Sequence, residues 1–318
     1  MLHITSGDSA AGVIHRSGLL GEILIWDDML HDGPVPARLS LKELSAVRAR
    51  HLRRRWRLAP WHEVLVEFAE RDRTLSRFRR YGEVVLWFEP HPSDQFRLAQ
   101  LLDWFAARKL GTVPVTTVGN VRDLRRSTPE QTAARFRGRV LVSNAQLALG
   151  RAVWAAFRSP DPMAISLLLD RDMEVLPWMA GALRRHLQEF PSIRDGLAHS
   201  ERQVLASLVA GPASVRDLFL AHHRRKDPIW LGDSTFVAYL HDLAAGDAPL
   251  LRLGPAENPY DMRQWVEMTD AGRAVLDGRE DRVRLCGIDR WLGGVHLRGH
   301  AVRWRWSPEE YGLVVSDA

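Results

Sequence analysis

Four acidic residues, Asp8, Asp28, Glu89 and Asp94, each stand at or just beyond the end of a short apolar run with the character of a β-strand, and Asp27 shares the second of these positions. Carboxylates gathered at one edge repel one another and favour a hard cation, so the set predicts a metal site for Mg²⁺. The first acid lies in Gly7-Asp8-Ser9, between a β-prone run starting at Leu2 and the small residues Ala10, Ala11 and Gly12 that open a helix. A helix start presents free N–H groups that attract phosphate, while neighbouring carboxylates repel it unless a cation sits between. Anion and cation are therefore expected to bind together. Asp8, Ser9, Glu89 and Asp94 are the candidates for any catalysis, and Gly7, Trp26, Asp28, Gln95 and Asn120 extend the expected ligand-binding set. Taken singly, these residues have simpler uses. Asp8 or Ser9 can cap the first helix, Asp94 can cap its own, Asp27 can face water, and Trp26 and Trp87 can be core rather than platforms for a ring.

Those positions matter because of the elements around them. Strand runs at Leu2 to Ser6, Glu22 to Trp26, Val84 to Phe88 and Thr112 to Val118 alternate with helical segments, the pattern of a parallel sheet. Val84-Val85-Leu86-Trp87-Phe88 is continuously apolar, as a strand buried on both faces must be. Ser40 and Glu43 have the spacing of a capping box, and Thr128-Pro129 marks another helix start. Right-handed crossovers return successive strand ends to one edge, which is where open α/β sheets bind ligands. The expected fold is an α/β, Rossmann-like, mostly parallel domain over residues 1–142. A helical connector (143–190), a winged-helix-like module (191–285) and a β-hairpin tail (286–318) with a turn near Arg298-Gly299-His300 follow it.

The chain has 318 residues, 46% of them hydrophobic, and a net charge of +5. Residues 40–80 hold twelve Lys/Arg against five Asp/Glu, so this stretch is more basic than the chain as a whole. Arg48, Arg50, Arg53, Arg54, Arg55 and Arg57 form either a solvated helix face or a docking face for nucleic acid. The single cysteine, Cys286, excludes an internal disulfide and suits a reducing compartment. No apolar run approaches membrane-spanning length and no signal-peptide pattern opens the sequence, so a cytoplasmic location and no membrane partner are expected.

After Ser200, three helical runs, two short strands and a Thr-x-x-Gly-x-x-x-Leu segment at Thr269 to Leu276 have the order of a winged helix-turn-helix. The segment in the recognition position, Gly232 to Asp242, has no Lys or Arg. Duplex binding depends on phosphate neutralisation, so packing or protein interaction is the expected role, with a nucleic-acid-binding regulator as the alternative.

Gly7-Asp8-Ser9, Trp26-Asp27-Asp28 with Gly33-Pro34-Val35-Pro36, Leu86-Trp87-Phe88-Glu89 with Asp94-Gln95, and Arg290-Trp291-Leu292-Gly293-Gly294-Val295-His296-Leu297 together resemble an uncharacterised bacterial family, domain of unknown function 1835. The resemblance implies a bacterial cytoplasmic protein and brings no assigned activity. Gly-Asp-Ser after a first strand also resembles the nucleophile block of SGNH-type hydrolases, which would make Ser9 a nucleophile. That chemistry requires an Asp-x-x-His base near the C-terminus, and the only such spacing is Asp28 to His31. A dinucleotide fingerprint is incomplete, because Ser9 stands where the middle glycine belongs. The reading is therefore a site for a phosphorylated or nucleotide-like ligand at the strand ends of the N-terminal domain.

Overall fold

Val84-Val85-Leu86-Trp87 forms the central strand of a five-stranded sheet, with all four residues buried. The computed structural model describes residues 1–56, 61–119, 123–225, 228–258 and 260–316. The chain divides into two compact units, Met1–Leu183 and Arg184–Ala318.

The first unit holds β1 (Leu2–Thr5), β2 (Glu22–Ile25), β3 (Val84–Trp87), β4 (Val115–Thr117) and β5 (Val140–Leu141), in the order β2-β1-β3-β4-β5. The first four are parallel. The short β5 pairs antiparallel with β4, closing a mostly parallel sheet. Its helices are α1 (Asp8–Arg16), α2 (Leu41–Trp56), α3 (Trp61–Ser76), α4 (Pro92–Ala106), α5 (Pro129–Arg137), α6 (Asn144–Phe157) and α7 (Met163–Leu169). Helix starts follow local chemistry. Ser40 and Glu43 bond reciprocally at the head of α2, and Thr128 and Gln131 do the same at α5.

Strand alternation divides the core between the two faces of the sheet. On one face Val85 and Trp87 pack with Ala10, Val13 and Ile14 of α1 and with Val118 and Leu124. On the other, α4 carries a stripe that includes Phe96, Leu101 and Phe105, and α6 lies along it. Phe96 stacks on Phe157 at 4.3 Å, and a Cβ at Gly150 would come within 2.4 Å of Leu102, so glycine is what permits this approach. The segment expected as a connector is therefore divided. Residues 143–183 cluster with the sheet, and the second unit begins at Arg184.

α8 (Met179–Leu187) runs into the second unit, where α9 (His199–Ser207), β6 (Ala213–Ser214), α10 (Val215–His223), α11 (Asp233–Leu243), β7 (Leu251–Leu253), β8 (Trp265–Met268), α12 (Asp270–Leu276) and α13 (Arg282–Cys286) follow. β6, β8 and β7 form a three-stranded antiparallel sheet. Two antiparallel hairpins end the chain, β9 (Ile288–Leu292) with β10 (Val295–Gly299), and β11 (Trp304–Ser307) with β12 (Gly312–Val315).

The first hairpin turns at Gly293-Gly294, not near residues 298–300. Gly293 has φ 61°, and a two-residue turn of this hand favours glycine. Arg290 of β9 is held by the buried Glu201 of α9 at 2.5 Å and lies over the Tyr239 ring of α11. This ties the hairpin to the helices of the second unit. Among the described residues, no helix is long and apolar enough to cross a membrane.

Candidate functional site

The strand order locates a crevice before any side chain is considered. From β1 the chain moves outward to β2 through α1, and from β3 it moves the opposite way to β4 through α4. Right-handed crossovers then put α1 and α4 on opposite faces, leaving the carboxyl ends of β1 and β3 open between them. Ser6, Gly7, Asp8 and Ser9 follow β1, and Glu89, Pro90 and His91 follow β3.

Both helices begin at this edge without a side-chain cap. Gly7 precedes α1 in an extended conformation, and nothing lies within 4 Å of where its Cβ would be. Its carbonyl accepts from Ala11 N at 3.0 Å, which leaves the N–H groups of the first turn directed out of the helix end. Asp8 and Ser9 are exposed there. His91 precedes α4, with Pro92 as its first residue and no side-chain cap. Thr5, the last residue of β1, pairs in register with Trp87 and so projects onto the face that α1 covers. It is 0% exposed, and its Oγ1 has no hydrogen-bond partner.

The acids do not gather as a set. Asp28 is buried against Arg48, whose Nε donates to its two carboxylate oxygens at 2.9 and 3.2 Å. Arg48 also donates to the carbonyls of Met29, Asp32 and Pro34, which fixes the loop after β2. Asp94 Oδ2 accepts from Glu89 N at 2.9 Å, and its Oδ1 accepts from Arg97 Nη1 at 2.9 Å. Gln95 Nε2 donates to the Glu89 carbonyl at 2.8 Å, so Asp94 and Gln95 together fix the turn from β3 into α4.

The expected Mg²⁺ cage of Asp8, Asp28, Glu89 and Asp94 is accordingly corrected. Two of its four carboxylates are neutralised by buried guanidinium groups, and no group of three or more metal-binding side chains occurs among the described residues. Trp26 is also corrected as a ring platform. It is fully buried, and its Nε1 donates to Gln100 Oε1 at 2.9 Å.

Glu89 remains at the crevice, 7% exposed, with Oε1 accepting from Leu124 N at 2.8 Å. Burial raises its pKa and the charge of Asp94 adds to this, against the Leu124 N–H bond and the positive fields of His91 and Arg125. A carboxyl so placed retains its proton to higher pH than a surface glutamate.

The arginine cluster also divides. Arg48 is internal and Arg55 bonds Asp32 at 3.1 Å, which leaves Arg50, Arg53 and Arg54 exposed. Arg57 and Asn120 lie outside the described residues. The hydrolase reading loses its base, because the aspartate of the Asp28 to His31 spacing is bound to Arg48.

Sequence reasoning missed Arg97, which joins Asp94, the Asp28 carbonyl and Asp27 Oδ1. The one signal for it was the helical i, i+3 spacing of Asp94 and Arg97. Thr5 and the Leu124 N–H carry no sequence signal of their own. No family model matches the chain, and no curated protein matches it.

Proposed function

We propose that the protein binds a phosphorylated, nucleotide-like ligand at the carboxyl edge between β1 and β3. The observation that carries this reading is that two helices, α1 and α4, start at the strand-order reversal without side-chain caps. Their unpaired N–H groups and positive dipole ends suit an anion. The guanidinium groups of Arg48 and Arg97 neutralise Asp28 and Asp94, so these two carboxylates do not repel an anion at the edge. Burial raises the pKa of Glu89, which lowers its tendency to carry the negative charge that would oppose an anion. The motif resemblance to domain of unknown function 1835 belongs to this proposal and adds no activity to it.

Calorimetry of the full chain with pyrophosphate, in the presence of a chelator, tests the reading. Saturable one-to-one binding is expected. Ser9→Glu places a carboxylate on the first turn of α1, where it favours the helix by about 0.3–1 kcal/mol while occupying the anion position. The expected result is affinity at least tenfold weaker with an unchanged or higher melting temperature. Unaltered affinity in that variant, or no binding of pyrophosphate at millimolar concentration, would rule the site out.

A further inference from the structure

Resting on that reading, we infer that the ligand is a ribonucleotide, its phosphate on the first turn of α1 and its ribose hydroxyls on Asp27. Asp27 and Asp28 are neighbours with opposite fates. Alternation beyond β2 turns Asp28 inward onto Arg48, while Asp27 keeps a side chain 54% exposed.

Asp27 is nonetheless rigidly held. Arg97 Nη2 donates to its Oδ1 at 2.5 Å, and Arg71 Nη1 donates to its carbonyl at 3.3 Å. Both guanidinium groups are buried, so the carboxylate is fixed from behind and can accept hydrogen bonds from the solvent side. A fixed acceptor of this kind matches a vicinal diol, which donates two O–H groups and carries no charge.

The position fits the same molecule. β1 and β2 end flush, with Thr5 opposite Ile25 and Trp26 N donating to the Thr5 carbonyl at 2.7 Å. Adjacent strands lie about 4.8 Å apart, so Asp27 flanks the Gly7 turn at roughly the width of one sugar. An acid at the end of the second strand, beside a phosphate-binding turn after the first, is the arrangement by which α/β sheets hold ribose hydroxyls.

The buried Thr5 hydroxyl is an independent sign of a ligand here. A hydroxyl with no partner, at the end of β1 on the sheet face that α1 covers, is costly unless something polar completes it.

The test compares the four ribonucleoside 5′-monophosphates with their 2′-deoxy counterparts and with pyrophosphate, on the full chain and on Asp27→Asn and Asp27→Ala. For at least one base the ribonucleotide should bind at least tenfold more tightly than the deoxynucleotide. Asp27→Ala should reduce its affinity to the deoxynucleotide level and leave pyrophosphate binding unchanged. Asp27→Asn, which keeps an oxygen for Arg97 and so preserves the loop, should lose most of the same preference. Equal ribo and deoxy affinity in the unmodified protein overturns the inference without any variant, as does a preference that survives both substitutions. If pyrophosphate and every nucleotide fail to bind, it is the phosphate site itself that is wrong.

Discussion

Glu89 couples the site to pH in a direction that can be worked out. Its folded pKa is raised by burial and by Asp94, so between the unfolded value of about 4.3 and the folded one the native state holds more protons. Stability is then complete below the unfolded pKa and falls as pH rises through the folded pKa. Glu89→Gln keeps an oxygen for Leu124 N but cannot ionise. It should raise the unfolding free energy at pH 7 and flatten its dependence on pH above the unfolded pKa, as read by urea denaturation at a series of pH values. Phosphate affinity in the variant should no longer decline with rising pH through Glu89. An unchanged slope would show that Glu89 does not titrate there. At this scale the sequence was legible in position and much less so in role. Asp8 and Ser9 stand on the first turn of a helix, as the strand, turn and helix pattern required. Asp28 and Asp94 stand after strands too, but whether an acid is exposed or neutralised depends on a guanidinium elsewhere in the sequence, and Arg48 lies twenty residues from Asp28.

Among the elements, α11 decides between packing and DNA recognition. It stands third among the helices of the second unit before α12, ahead of the β7–β8 pair, as a recognition helix would. Thr235 to Leu240 are nevertheless buried without a break, and Arg290 lies over Tyr239. A helix enclosed in this way has no free face to lay in a major groove, which must admit the whole element. Fluorescence anisotropy of the full chain with a mixed-sequence duplex should show only salt-sensitive association, no tighter than about 10⁻⁶ M at physiological salt. Tyr239→Ala should lower stability by about 3 kcal/mol without altering that weak association. Nanomolar binding abolished by a change at Ser234 would restore the regulator reading. Periodicity located most elements because apolar runs of 4–8 residues and capping boxes are local signals. It failed where the signal is tertiary. The division of residues 143–190 depends on α6 finding α4 through Gly150.

At the scale of the whole molecule, each unit carries its own core, one around Val85, Trp87 and α1, the other including Phe236, Leu240 and Val266. The candidate site draws only on the first unit, since β1, β3, α1, α4 and Asp27 all precede Leu183. Ligand that binds a folded state stabilises it by RT ln(1 + [L]/Kd), about 2.7 kcal/mol at one hundred times Kd. Differential scanning calorimetry of the full chain should therefore resolve two transitions, and saturating nucleotide should raise only one of them. Trp87→Ala, which opens the core beneath α1, should lower that same transition by about 3–5 kcal/mol and leave the other in place. A single transition that moves as a whole with ligand would mean that the two units unfold as one cooperative body. A shift confined to the transition that Trp87→Ala leaves alone would place the ligand in the second unit and remove the strand-edge site from consideration.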